Sequence, residues 1–396
     1  MKNTKSLDML IKQHGEPDAL IDNFASKKGG YAIWGYEDIF QYYNKDIKNT
    51  NKPFEQLQNK IDLWKDNRKI NCIGFISYDI KNILYPHIKF KKLQSRFPAI
   101  WFAKPKLIKP FQIEPKIRAE KKEFIYLNQD ILDIKKYKQK INKIKKELKA
   151  GNTYQINFTM NKIFKINSNP FSLYLQLRDA AKPAFGYYIK FNNQYILSLS
   201  PEQFFNTHGS LIQSFPMKGT RPRDIEKGKD AILKQELKNS IKDKAEHLMI
   251  VDLLRNDLGK ICKYNSIEVK DLYNVNSFET VHQMVSCVQG NLNKNINSID
   301  IFKALCPGGS ITGAPKESSM KIIDYLENYN RGIYTGTIGY IDNNNDMNFN
   351  IAIRTMSINK KRGFYSVGGG IVWDSKINDE WNEAQLKSKI LNNFIN

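Results

Sequence analysis

Ser214-Phe-Pro-Met-Lys-Gly-Thr-Arg-Pro-Arg223 is a stretch that cannot be helical. Pro216 and Pro222 lack the amide proton a helix needs and push the residues before them into extended backbone. Within this extended run Lys218 stands beside Gly219. A glycine there removes a side chain next to the amine, so a ligand can approach the backbone while the lysine faces it. With Met217 on its other side the amine is a candidate for a depressed pKa, and an uncharged amine is a nucleophile or a base. A surface lysine after a strand fits the same residues.

Outward from this stretch, residues 187–191, 195–200 and 211–215 before it, and 332–342, 349–359 and 363–373 after it, read as members of antiparallel sheets. Residues 31–35, 72–79 and 99–103 read as buried strands. Ile134, Tyr137, Ile141, Ile144 and Leu148 are spaced three and four apart and stop at Gly151, which predicts an amphipathic helix. Its other face carries Lys135, Lys136, Lys138, Lys140, Lys143, Lys145, Lys146 and Lys149 and reads as a solvated face. Further helical patterns cover 227–258, 298–306, 315–328 and 378–394. Strands cluster and helices come in blocks, so the expected class is α+β.

The 396 residues are 41% hydrophobic and 12% aromatic, enough for a large core and too apolar for a disordered chain. The net charge of +22 comes from lysines scattered along the whole chain. No zinc knuckle, aromatic-basic motif or recognition-helix pattern accompanies it, so nucleic acid is not an expected partner. Cys72, Cys262, Cys287 and Cys306 lie far apart, without zinc or redox spacing. The first residues lack a signal-peptide pattern, and no apolar run is long enough to span a bilayer. A soluble, cytoplasmic protein without a membrane partner is the expectation.

Several constellations carry possible chemistry. Ser200-Pro-Glu-Gln-Phe204 places Glu202 one hairpin before Lys218, where a carboxyl and an amine can face one pocket. A turn glutamate after proline fits equally. Asp243 and Glu246 are three apart on one predicted helix, and Glu380, Glu383 and Lys387 are three and four apart on the last. Two carboxylate pairs on converging helices would make an oxygen-rich site suited to Mg²⁺; apart, each is a surface charge stripe. Pro307-Gly-Gly-Ser-Ile-Thr-Gly-Ala-Pro-Lys316 enters a helix with open backbone amides, an anion-binding pattern. Ala314 stands where a P-loop needs lysine, which excludes a nucleoside triphosphate site. Ser366-Val-Gly-Gly-Gly-Ile-Val372 offers either bare backbone to a carboxylate or a simple bulge. Cys306 lacks a nucleophile elbow and reads as packing.

Taken in order, Gly151-Asn-Thr-Tyr-Gln155, Ser200-Pro-Glu202, Lys218-Gly-Thr-Arg-Pro-Arg223, Ala245 to Asp257, Gly308 to Lys316, Ile351-Ala-Ile-Arg-Thr355 and Gly368-Gly-Gly-Ile-Val372 resemble the chorismate-utilising enzymes. The likeness runs from about Lys149 to Leu391. It implies a catalytic domain over 130–394. An N-terminal region, 1–125, is similar only around Gly74-Phe-Ile-Ser-Tyr-Asp79. The implied fold is an antiparallel β-sandwich flanked by helices, two intertwined halves with the active site in the cleft between them.

Within that family, water-adding members carry a lysine base where this chain has Gln155, which implies ammonia chemistry. A lysine at position 218 resembles the aminodeoxychorismate synthases, where anthranilate synthases have alanine. The resemblance implies Mg²⁺ on Glu246 and Glu383, with Asp243 and Glu380 behind them and Gly368, Gly369 and Gly370 against the ring carboxylate. Tyr334, Arg354 and Lys387 would hold the enolpyruvyl carboxylate. Lys218 would attack the ring while Glu202 protonates the departing hydroxyl. Gly219, Thr220, His282 and Thr312 match positions near the substrate. Ammonia would come from a separate glutamine amidotransferase subunit in a heterodimer, because no cysteine here resembles a glutaminase nucleophile. Anthranilate synthase component I is the rival enzyme, and an inactive basic scaffold on nucleic acid the rival of another class.

Overall fold

The computed structural model describes residues 5–388 except 24–28, 45–50, 92, 94, 113–124, 131–132, 168 and 279–280. The chain opens with α1 (Leu7–His14), β1 (Ala19–Asp22), β2 (Gly30–Tyr42), α2 (Lys52–Leu63), β3 (Ile70–Ile76), a short α3 (Lys81–Leu84), β4 (Ile100–Phe111) and β5 (Ile125–Asp130). It continues through α4 (Ile134–Lys149), β6 (Gln155–Ile166), α5 (Pro170–Ala181), β7 (Phe185–Phe191), β8 (Gln194–Ser200), β9 (Gln203–His208), β10 (Leu211–Ser214) and β11 (Met217–Pro222). Then come α6 (Lys227–Asn239), α7 (Ile241–Gly259), β12 (Glu268–Ser277), β13 (Val281–Asn291), α8 (Ser298–Leu305), β14 (Gly313–Ala314) and α9 (Lys316–Leu326). The last elements are β15 (Thr337–Asp342), β16 (Met347–Ile351), β17 (Thr355–Asn359), β18 (Arg362–Ile371) and α10 (Ile377–Lys387). The strands join in one large antiparallel sheet with helices around it, an α+β architecture.

The sheet folds over two interiors. In the smaller, Trp101 of β4 stacks on Phe75 of β3 and on Phe191 of β7, with ring centroids 5.8 and 4.8 Å apart. The larger interior lies between sheet and helices and includes Tyr137, Phe158, Leu254, Phe302 and Phe349. The N-terminal strands are woven into the later ones, since β1 pairs with β7 and β3 with β15. A boundary near 125–130 therefore does not separate two sheets, and part of it lies outside the described residues.

Local sequence explains most elements. α4 starts where the Asp133 side chain accepts the Lys136 amide; of the five apolar residues its spacing aligns it buries Tyr137, Ile141 and Ile144, half-buries Leu148 and leaves Ile134 in the first turn exposed. The helical pattern 227–258 is two helices, because the Ser240 side chain accepts the Asp243 amide and caps α7. The expected strand 349–359 breaks at Arg354, whose φ is +50°. Thr335 at φ +62° and Gly332 at φ +61° delay β15 to Thr337. The predicted last helix is described only to Lys387; 389–394 lie outside the described residues. Among the described residues no helix is long and apolar enough to cross a membrane. All four cysteines are buried and unbridged, and burial pushes the Cys306 thiol up to about 12, as suits packing.

One feature of the sheet creates the cleft. β18 is paired with β6 over its whole length, from Arg362 with Lys165 to Ile371 with Ile156. β17 pairs only with its first half, ending at Met356 with Tyr365. Beyond that point β17 diverges, and the Gly368 carbonyl accepts a hydrogen bond from the side chain of α10 Lys387 instead, at 2.9 Å.

Candidate active site

Lys218 is aimed by a bulge. β11 pairs with β13, and the pairing slips between Lys218 and Thr220. Gly219 makes the slip possible. Its φ is +67°, and a Cβ there would fall 2.7 Å from Leu237 Cδ1 and 3.0 Å from Asp243 Oδ1. The amine reaches the open end of β18, where Nζ lies 3.2 Å from the position a Cβ at Gly370 would take. The Gln155 amide nitrogen of β6 lies 3.1 Å from the same point. Burial pushes the Lys218 amine below the usual lysine range, Glu246 opposes that shift, and Lys387 adds to it.

Glu202 sits at the turn between β8 and β9. Its backbone is fixed, with the Ile351 amide donating to its carbonyl at 3.1 Å and its own amide to Ser200 Oγ at 3.2 Å. Burial pushes its carboxyl up to about 7 against the pull of Lys218, the Ser310 hydroxyl and Lys387. An amine made less basic and a carboxyl made less acidic thus share one pocket. Their uncharged forms are the ones the interior favours, which is the pairing an uncharged nucleophile and a general acid require.

The carboxylates of α7 and α10 face each other across this pocket. Burial raises the Glu246 pKa, Lys218 and Lys242 oppose that, and Asp243 and Glu383 reinforce it. Burial also raises Glu380, whose Oε1 accepts from Ser375 Oγ at 2.7 Å. Glu383 pairs with Lys387 at 2.7 Å, and Asp243 with Arg221 at 3.0 Å. Among the described residues no three His, Cys, Asp or Glu side chains are gathered closely enough to cage an ion. Magnesium does not need such a cage: one or two carboxylates suffice when water and substrate oxygens fill the other positions. The all-oxygen donors Glu246 and Glu383, facing each other across the pocket, fit that requirement.

The three glycines of β18 differ in their reasons. A Cβ at Gly368 would collide with the Phe158 carbonyl on β6, so its cause is strand packing. A Cβ at Gly369 would stand 3.5 Å from Glu380, 3.7 Å from Glu383 and 3.8 Å from Lys387. At Gly370 it would meet Gln155 and Lys218. Gly369 and Gly370 therefore keep open the space into which these groups point. Gln155 is wholly buried, yet neither its amide nitrogen nor its oxygen has a hydrogen-bond partner. A buried, unsatisfied amide beside an amine and two glycines marks a place built for a polar guest.

Tyr365, which sequence reasoning passed over, gathers the remaining polar groups. Its hydroxyl donates to the Lys387 carbonyl at 3.1 Å, and Arg354 and Tyr334 are both close enough to influence, or be influenced by, its titration. Of the other expected residues, two have their side-chain groups engaged elsewhere and one is exposed. His282 is buried with one ring nitrogen at 2.9 Å from Ser277 Oγ and the other at 2.9 Å from Asp230 Oδ1, so both are occupied. Thr312 donates its hydroxyl to the Gly308 carbonyl at 2.8 Å, closing the loop before α9. Thr220 is exposed on β11 past the bulge. Ser310, beside Glu202, was not singled out in the sequence; its signal was only its place in the glycine loop.

The sequence profile of the chorismate binding enzymes matches residues 105–393. Anthranilate synthase component 1 of Saccharolobus solfataricus is 37% identical over 259 residues, covering 65% of this chain and 62% of that protein. Aminodeoxychorismate synthase component 1 of Klebsiella aerogenes is 39% identical over 248 residues, covering 63% of this chain and 55% of that protein. The matches thus span little more than half the length of these curated relatives. The crystal structure of anthranilate synthase component I from Streptococcus pneumoniae superposes with a TM-score of 0.80 over 91% of both chains at 24% identity, a likeness of fold.

Proposed function

The chain belongs to the chorismate binding enzyme family, and on that premise we propose that it is an aminodeoxychorismate synthase component 1. The observation that carries this reading is the Lys218 amine, half-buried with its basicity lowered, in one pocket with a Glu202 carboxyl pushed up to about 7. The proposed substrate is chorismate, and the proposed product is 4-amino-4-deoxychorismate, an intermediate on the way to 4-aminobenzoate and folate.

The uncharged Lys218 amine adds to C2 of the ring. Both ring double bonds shift, C1=C2 to C1=C6 and C5=C6 to C4=C5, the C4–oxygen bond breaks, and Glu202 gives its proton to the departing hydroxyl, which leaves as water. Ammonia then bonds to C4, both double bonds shift back, and the C2–nitrogen bond to Lys218 breaks. The proton that Glu202 lost is returned from the incoming ammonia. Two conjugate displacements, each relayed through both ring double bonds, replace one direct displacement, which is the general advantage of a covalent intermediate. Arg354, Tyr334 and Lys387 hold the enolpyruvyl carboxylate, a task suited to a planar guanidinium with hydroxyl and ammonium partners. Glu246 and Glu383, supported by Asp243 and Glu380, would hold Mg²⁺, which supplies charge to anchor the ring carboxylate. Gln155 presents an amide, neither acid nor base, where a general base would activate water. That arrangement suits ammonia, which needs no activation. A separate glutamine amidotransferase is the proposed ammonia source.

The test is the product formed by the purified chain with chorismate, Mg²⁺ and ammonium. Expected is a compound that gives 4-aminobenzoate only after a lyase is added. Direct release of fluorescent anthranilate would instead make the chain an anthranilate synthase, the reading carried by the archaeal relative.

A further inference from the structure

A second cavity, of about 270 Å³, has neither Lys218 nor Glu202 in its lining. Its walls come from the segment before β4 (Arg96), from β6 (Asn161), from β17 (Ser357) and from β18 (Arg362, Phe364). With the proposed active site it shares only Tyr334 as a wall; Lys218, Glu202, Gln155, Glu246, Glu383 and Lys387 do not line it.

The charge in this cavity is one-sided. Arg96, Arg331 and Arg362 line it, and no carboxylate does. Arg331 is neutralised by Glu327 at 2.8 Å, but neither Arg96 nor Arg362 has an acidic partner among the described residues. Their guanidiniums lie 5.9 and 5.5 Å from the Phe364 ring, so one aromatic side chain spaces both. The loop that carries Arg96 is held in place. Its carbonyl accepts from Gln194 Nε2 at 2.7 Å, and Ser95 Oγ donates to the Phe97 carbonyl at 2.8 Å. An adjoining surface groove adds Lys165, Lys360 and Lys361. Field lines from such a mouth draw in anions, and a guanidinium matches a carboxylate. Asn161 and Ser357 add an amide and a hydroxyl group to the same lining as the Phe364 ring. The volume exceeds what a bare inorganic anion fills.

We propose that this cavity is a binding site for a small organic carboxylate, with the acid group between Arg96 and Arg362 and a hydroxyl-bearing body inside. The site stands independently of which reaction the chain catalyses.

The test is calorimetric titration of the whole chain, without chorismate, using 4-hydroxybenzoate as probe and inorganic phosphate as control. Expected is saturable binding of 4-hydroxybenzoate that weakens about tenfold or more in both Arg96→Ala and Arg362→Ala, the loss of one charge-assisted contact each. Binding should persist in Lys218→Ala and Lys387→Ala, and phosphate should bind more weakly. Both arginines are exposed, so their removal should leave folding and ammonia-dependent turnover unchanged. No binding up to about 10 mM overturns the proposal. Loss in Lys387→Ala with retention in the arginine variants overturns it too, because the probe then occupies the other cleft. Phosphate binding as tightly as 4-hydroxybenzoate overturns the organic part.

Discussion

Two ionic groups lie along β6, one buried around Arg331 and one half-buried around Lys218, and they are finished differently. Around Arg331 every need is met. The guanidinium donates to both Glu327 oxygens at 2.8 Å, to the Ile311 carbonyl at 2.9 Å and to the Asn157 carbonyl at 2.6 Å. Glu327 also accepts from the Thr159 amide and hydroxyl, and Arg331 stacks 4.4 Å over the Tyr78 ring. Around Lys218 needs are left open. Gln155 has no partner, and both the amine and the Glu202 carboxyl are pushed toward their uncharged forms. Satisfied buried charge fixes a fold; unsatisfied buried polarity waits for a ligand. The difference separates scaffold from chemistry without reference to any relative.

Four substitutions break or sharpen this contrast. Lys218→Ala should lower ammonia-dependent turnover about 10⁴-fold or more, as removal of other covalent nucleophiles does, with chorismate binding largely kept. Steady-state kinetics beside equilibrium binding would show the split. Arg331→Met should instead cost about 3–5 kcal/mol of stability in urea unfolding, because it strands Glu327 without a counter-charge.

Glu202→Gln should lower turnover about 10²–10³-fold, the range for a positioned general acid. Its pH profile is the sharper readout. Glu202 acts protonated, so kcat/KM should fall as pH rises through about 7. The glutamine variant should lose the alkaline limb. The raised carboxyl pKa also means that the folded state holds a proton the unfolded state has released. Wild-type stability should therefore decline as pH climbs from the ordinary glutamate value toward 7, and the variant should not show this decline. Smallest is Gln155→Met, which removes two orphaned polar atoms at similar length. Stability should rise by about 1 kcal/mol while turnover drops, the opposite of the Arg331 result.

The legible parts of the chain were those with local causes. Pro216, Pro222 and Gly219 announce the extended segment that carries Lys218, and the spacing of Glu246 and Glu383 places each on a helix. What stayed hidden depends on partners distant in sequence. β6 is central, pairing with β5, β14 and β18, yet Gln155, Asn157, Thr159 and Asn161 disguise it. They alternate like a half-exposed strand but are buried, because their polar face lines the interior beside the cleft. Arg331 and Glu327 look like an ordinary helix-end pair until Asn157 and Thr159 close around them. Arg354 breaks what reads as one continuous strand, and only the fold shows that the break brings it near Tyr365. His282 matched a family position, but Asp230 and Ser277 claim both of its nitrogens.

The most direct measurement is mass spectrometry of the protein quenched during incubation with chorismate and Mg²⁺ while ammonia is withheld. The expected result is one adduct, of chorismate less water, on the peptide that contains Lys218, and its disappearance when ammonium is added. Normal ammonia-dependent turnover with Lys218 unmodified throughout, or an adduct on a different lysine, would contradict the account.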